Sequence, residues 1–222
     1  LQRFLEEATI LCALDHPNIV GFVGVLDGPD RFGIVMPWME NGELNFYLRQ
    51  HPTVPKTLLA RQVVEGLKYL RQQWIVHGDL KGANILIDEI GCAHISDFGS
   101  ARVLCFTDHH SEQLRGSTGG TCRWMAPELL APSRFGETSA APTFESDVFA
   151  FGMVLYEATR KIWSGGCIPF HDQSNSMAAN LAIVAGDRLP RPSHTPDDIW
   201  DLATACWRHD PVSRPTISSI IF

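Results

Sequence analysis

His77-Gly78-Asp79-Leu80-Lys81-Gly82-Ala83-Asn84, followed after a short apolar run by Asp97-Phe98-Gly99, is the stretch on which the reading of this chain turns. A carboxylate, an amide and a second carboxylate stand here at fixed spacing, with Asn84 five residues after Asp79. Hard oxygen ligands of this kind suit Mg²⁺. A carboxylate beside a compact lysine cation suits the handling of a hydroxyl near negative charge. Either aspartate alone would read as a turn residue, because Asp is common in turns. Both, in this order and spacing, point to a site able to serve phosphoryl transfer.

The surrounding composition is that of an ordinary globular domain. The chain has 222 residues, 45% hydrophobic and 19% charged, enough for one large domain or one and a half small ones. A net charge of −7 argues against nucleic acid or an anionic membrane as the main partner. Six cysteines (Cys12, Cys92, Cys105, Cys122, Cys167, Cys206) are scattered with no Cys-x-x-Cys pair. That spacing speaks against zinc and for buried or free thiols in a reducing compartment; the cytoplasm is the default expected location, because no targeting address stands in these residues. His109-His110 reads as exposed loop rather than as a metal site. The charged opening around Glu6 and Glu7 has no apolar leader region. The most apolar run, Val148 to Tyr156, is too short to span a bilayer and predicts a buried core helix.

Outward from the motif, periodicity gives the elements. Phe4, Leu5, Ala8, Leu11 and Cys12 recur at helical spacing, predicting a helix from Leu1 to about Leu14 that stops at His16-Pro17-Asn18. Ile19 to Leu26 and Phe32 to Met36 read as strands around a Gly28-Pro29-Asp30 turn. Pro37 to Gly42 is a breaker-rich link, and Glu43 to Arg49 begins a helix. Thr57 to Gln73 predicts a third helix that buries Leu58, Leu59, Val63, Leu67 and Leu70. Ile85-Leu86-Ile87 and His94-Ile95-Ser96 are short strands flanking an Asp88-to-Gly91 turn. Ser100 to Arg123 is polar and without period, as in a mobile loop. Beyond Pro127 the chain is mostly helical, with a surface insertion over Ala131 to Thr143. A little β structure, a hinge and a helical body predict two lobes around a cleft.

The motif resembles the catalytic loop and Asp-Phe-Gly site of the eukaryotic protein kinase family. Phe4-Leu5-Glu6-Glu7-Ala8 with His16-Pro17-Asn18-Ile19-Val20 is similar to that family's regulatory helix. Gly120-Thr121-Cys122-Arg123-Trp124-Met125-Ala126-Pro127-Glu128 resembles the end of its activation segment. Ser146-Asp147-Val148-Phe149-Ala150-Phe151-Gly152 resembles the start of its central helix, and Cys206 to Pro211 with Arg214-Pro215 its late helices.

The resemblance implies an α+β fold with a small β lobe (1–36), a hinge (37–42) and a mainly α-helical large lobe (43–222). It implies transfer of the γ-phosphate of ATP to serine or threonine hydroxyls of a protein substrate. Asp79 would orient the hydroxyl, Lys81 would stand beside the phosphoryl group, and Asn84 and Asp97 would hold Mg²⁺. Pro37, Met39 and Glu43 would contact the nucleotide, with Leu86 under the adenine and Met36 as gatekeeper. Glu7 would pair with an ATP-binding Lys, and Asp147 would bond the catalytic loop. Arg214 would pair with Glu128, and Leu11, Phe22, His77 and Phe98 would stack between the lobes. Lys81 together with Thr121 matches the serine/threonine pattern of the tyrosine-kinase-like group.

Two departures stand out. Gly78 replaces the Arg that usually precedes the catalytic Asp and pairs with a loop phosphate. Activity is therefore expected not to depend on phosphorylation of Ser111, Ser117, Thr118 or Thr121. The 222 residues also hold no Gly-x-Gly-x-x-Gly and no Lys matching the family's nucleotide clamp. An incomplete small lobe with an open sheet edge is expected. The competing readings are a catalytically impaired, pseudokinase-like binding module and a small-molecule phosphotransferase of the same fold.

Overall fold

The computed structural model describes residues 2–28, 31–104, 121–159, 168–193 and 195–222. Helix α1, Gln2–Cys12, buries Ala8 and Leu11 and ends ahead of His16 and Pro17, where the sequence places its stop. The chain then runs extended along a later strand. Val20 N–H donates to the Ile95 carbonyl at 2.9 Å, and Ile95 N–H donates to the Asn18 carbonyl at 2.9 Å. The strand expected from Ile19 therefore begins only at Gly24, because Ile19 and Val20 face Ile95 instead of the hairpin.

Strands β1 (Gly24–Gly28) and β2 (Arg31–Val35) form an antiparallel pair with Leu26 opposite Gly33. Val25, Leu26 and Phe32 are exposed on it. The Gly28-Pro29-Asp30 turn falls partly outside the described residues.

Past residues 37–42, α2 (Leu44–Gln50) buries Leu44 and Leu48. Helix α3 (Lys56–Gln72) buries Leu59, Ala60, Val63, Val64, Leu67 and Leu70. Leu58, expected in that face, is 39% exposed, because the buried stripe follows the i, i+4 steps through Leu59 and Ala60 and turns Leu58 outward. Short antiparallel pairs follow: β3 (Ile75–Val76) with a later β6, and β4 (Ile85–Ile87) with β5 (Ala93–Ile95), which places Leu86 opposite His94.

Strand β6 is Arg102–Val103, inside the stretch that the sequence suggested was all loop. Residues 105–120 of that stretch, with His109, His110, Ser111, Ser117 and Thr118, lie outside the described residues. A 3₁₀ turn at Thr121–Trp124 leads to α4 (Pro127–Leu130). A second 3₁₀ turn, Pro132–Phe135, lies in the expected insertion, and its Gly136 end is exposed.

Helix α5, Phe144–Thr159, is the core helix expected from Val148 to Tyr156. Phe149, Phe151, Met153 and Leu155 are fully enclosed, each side chain contributing about 1.5–3 kcal/mol by burial. Around it lie α6 (Ser176–Ala185), capped by the Asn175 carboxamide and ended by left-handed Gly186, and α7 (Asp197–Cys206). Six short described strands, two ahead of residues 37–42 and four after them, with a helical body centred on α5, give the expected α+β architecture. No described helix is long and apolar enough to cross a membrane.

Candidate active site

Helix α5 anchors the 77–84 segment from below. The buried Asp147 carboxylate accepts from His77 N–H at 2.7 Å and from Gly78 N–H at 2.9 Å. Burial pushes the Asp147 carboxyl up, and those two amides oppose the shift. Gly78 sits at φ +77°, a left-handed conformation that favours glycine, and a Cβ there would lie 2.8 Å from the Ser100 carbonyl. His77 is wholly buried. Its Nε2 lies 3.0 Å from the Ser96 carbonyl and its Nδ1 accepts from Asp79 N–H at 3.2 Å, placing the ring proton on Nε2. Its ring meets Phe98 edge-on at 5.2 Å. Leu11 and Phe98 are buried like His77, and Phe22 is partly buried.

The reactive groups gather above this base. Lys81 Nζ lies 2.8 Å from Asp79 Oδ2 and 3.0 Å from Thr121 Oγ1, so one ammonium ties together residues forty apart in sequence. Asn84 Nδ2 donates to the Asp79 carbonyl at 2.8 Å and lies 3.3 Å from Asp79 Oδ2. Asp79 thus has one oxygen held by Lys81 and Asn84. Its other oxygen, Oδ1, is enclosed and has no partner among the described residues. A carboxylate in this state can accept a hydroxyl proton.

Asp97 is exposed and takes φ +62°. Its Oδ1 and Glu7 Oε2 each come within 3.4 Å of where a Cβ on Gly99 would sit, so two carboxylates share this corner. Burial raises the Glu7 carboxyl, the Asp97 charge adds to that, and a hydrogen bond with the Phe98 backbone opposes it. Two acids crowded in this way favour a bound cation between or beside them. The Asn84 amide nitrogen is already committed, which leaves its carbonyl oxygen as the ligand atom. Among the described residues no group of three His, Cys, Asp or Glu makes a self-contained metal site. The oxygens of Asn84 and Asp97 fit Mg²⁺, which takes one or two protein ligands and completes its shell with phosphate and water.

Residues 41–43 are stitched to the same strand that leads from Asn84. Asn41 N–H donates to the Ile87 carbonyl at 3.1 Å, Ile87 N–H donates to the Gly42 carbonyl at 2.8 Å, and Glu43 bridges Leu86. Met39, Glu43 and Leu86 are half-buried neighbours there, whereas Met36 and Pro37 are exposed and Trp38 is 82% exposed.

The whole chain, residues 1–222, matches the family described as protein tyrosine and serine/threonine kinase. The chain belongs to this protein kinase family. It is 33% identical over 226 residues to the tyrosine-protein kinase transforming protein Fps of avian sarcoma virus (strain PRCII), covering 98% of this chain and 39% of that protein. It is 37% identical over 224 residues to ephrin type-B receptor 1 of Gallus gallus, covering 98% of this chain and 21% of that protein. The chain therefore spans well under half the length of either relative.

The helical body is held together by a buried ion pair that the family resemblance implied. Arg214 Nη1 and Nη2 donate to Glu128 Oε1 and Oε2 at 2.6 and 2.7 Å, a two-pronged contact. Arg123 is also buried. It donates to the carbonyls of Pro169 and Gln173 and makes a short contact with that of Phe170, fixing the segment after Thr121. Sequence reasoning passed over Arg123 as loop.

It also passed over Glu157, which is 1% exposed near the end of α5. Burial lifts its carboxyl to about 7, against hydrogen bonds from Trp124, Asn45 and Gly82. The available signal was an acid directly after the most apolar run of the sequence, Val148 to Tyr156. Its partners, drawn from three distant segments, carry no spacing that would have named them.

Proposed function

We propose that this protein is a serine/threonine protein kinase that transfers the γ-phosphate of ATP to a protein substrate. The observation that carries the reading is Lys81 Nζ, held at once by Asp79 Oδ2 and Thr121 Oγ1 at 2.8 and 3.0 Å. In this reading Asp79 Oδ1, enclosed and without a partner among the described residues, accepts the proton of the substrate hydroxyl. Lys81 stands beside the transferring group and balances charge that develops on it. Thr121 holds Lys81 in register and orders the start of the 121–124 turn, where the substrate backbone would pass. Asn84 and Asp97 hold Mg²⁺, which neutralises phosphate charge when bound. Pro37, Met39 and Glu43 receive the nucleotide, with Leu86 beneath the base. Residues 1–36 act as small lobe, 37–42 as hinge and 43–222 as large lobe. The four described cysteines are free, in keeping with a reducing cytosolic setting.

Tyrosine is the second reading, favoured by two relatives whose names are those of a tyrosine-protein kinase and an ephrin receptor. The test is Mg²⁺-dependent labelling of a generic protein by the native kinase, followed by phosphoamino-acid analysis. Phosphoserine and phosphothreonine, lost in Asp97→Asn and much reduced in Thr121→Val, support the proposal. Phosphotyrosine alone overturns the specificity. A folded native protein that binds nucleotide and transfers nothing supports the pseudokinase-like binding module instead.

A further inference from the structure

A buried carboxylate is unfavourable unless its oxygens are satisfied. Glu157 has no ion-pair partner among the described residues and relies on neutral donors. Its Oε2 accepts from Gly82 N–H at 2.9 Å and from the Trp124 indole Nε1–H at 2.7 Å. Its Oε1 accepts from Asn45 Nδ2 at 2.9 Å. The contact at residue 82 is close: a Cβ there would lie 2.6 Å from Asn45 Nδ2 and 3.1 Å from Glu157 Oε2. Gly82 directly follows Lys81, and Trp124 stands three residues after Thr121. The two ends of the Lys81–Thr121 hydrogen bond are therefore each tied, a short backbone step away, to a single oxygen on α5.

We propose that Glu157 is a positioning residue for phosphoryl transfer: by holding the Gly82 amide and the Trp124 indole on one oxygen, it sets Lys81 against Thr121 and Asp79. The proposal rests on the kinase reading above. The protonation state of Glu157 adds a consequence. Burial brings its carboxyl to about 7, the three donors oppose this, and Glu43 pushes the same way as burial. The three elements that bond Glu157 also carry Asp79 and Lys81 on the catalytic segment, Cys122 and Arg123 on the 121–124 turn, and Tyr47 and Arg49 on α2. Hydrogen bonds to an ionised carboxylate are roughly twice as strong as neutral ones. The clamp therefore tightens as the pH rises through neutrality.

Two variants separate positioning from simple packing. In Glu157→Gln the remaining oxygen can keep both Gly82 and Trp124. The new amide then faces Asn45, whose Oδ1 has no partner among the described residues and can accept after the Asn45 amide turns over. In Glu157→Leu all three donors lose their acceptor.

The experiment uses the native protein and follows the ¹⁵N–¹H indole resonance of Trp124, assigned with Trp124→Phe, alongside kcat and KM from about pH 6 to about pH 8. The expected result is an indole titration with a midpoint near 7 in the wild type that vanishes in Glu157→Gln. Glu157→Gln, whose neutral amide stands for the protonated acid, is expected to hold kcat at the wild type's low-pH level across the range, within about threefold of the wild type at high pH, so that the acid limb is lost. Glu157→Leu is expected to lose about tenfold or more in kcat with little change in KM for ATP. An indole resonance indifferent to pH and to Glu157→Gln overturns the proposal even if Glu157→Leu fails to fold, and so does a folded Glu157→Leu with wild-type kcat. If no phosphate is transferred, the kinase reading fails by itself, and the indole titration still decides whether Glu157 holds Trp124.

Discussion

Replacing Gly78 by alanine should destabilise the protein by about 2–4 kcal/mol. The backbone at this residue has φ +77°, and a side chain there is held in the left-handed region at a penalty of roughly 1–2 kcal/mol. The added methyl would stand 2.8 Å from the Ser100 carbonyl oxygen and 3.4 Å from Pro142 Cγ. The Ser100 contact is with main chain, which cannot swing aside as a flexible side chain can, so the overpacking contributes about 1–3 kcal/mol. The lower entropy of alanine in the unfolded chain returns only about 0.4–1 kcal/mol. Relaxing φ is blocked from the other side, because Asp147 holds the His77 and Gly78 amides at 2.7 and 2.9 Å. Urea denaturation of both proteins should show a lower midpoint at unchanged slope. For 222 residues the melting temperature should fall by about 5–15 °C. A loss below about 0.5 kcal/mol would mean that the segment relaxes freely, and the argument that this position requires glycine would be wrong.

Removing one partner of the buried Arg214–Glu128 contact, by Glu128→Ala, should cost about 3–5 kcal/mol in the same denaturation assay, because an uncompensated guanidinium stays inside. Glu157 binds its proton more tightly folded than unfolded, since burial raises its carboxyl from 4.5 to about 7. Wild-type stability relative to Glu157→Gln should therefore fall as the pH rises from about 4.5 to 7, by a few kcal/mol in all, and then level off, as paired melts at pH 5 and about pH 8 can check. Because Gly78 offers no cation to a loop phosphate, phosphatase treatment should leave kinase activity within about twofold, and complete loss on treatment would refute this.

Much of the fold was legible in the sequence because local pattern encodes it. The apolar run over Val148 to Tyr156 could only be interior, and the stripe through Leu59, Val63, Leu67 and Leu70 could only be one helical face. Boundaries were less legible where the backbone had a choice of partners. Ile19 and Val20 look like the start of a strand, but tertiary docking gave their hydrogen bonds to Ile95. Arg102 and Val103 look like loop, because a two-residue strand has too few residues to show a period. Leu58 fits the helical spacing nearly as well as Leu59, and only the position of the neighbouring elements turned it outward.

The sequence by itself determined the chemical groups and the family: Asp79, Lys81, Asn84 and Asp97 stand close together along the chain, and fixed short spacing carries that information. Tertiary structure alone decided which of these groups meet partners far away. Packing around α5 brings Thr121 to Lys81, Asp147 beneath His77, and Gly82, Trp124 and Asn45 onto Glu157. The reason is physical. A buried polar group must be satisfied, but nothing in the local chain specifies from where, so the donors are chosen by the global arrangement that also buries the apolar core.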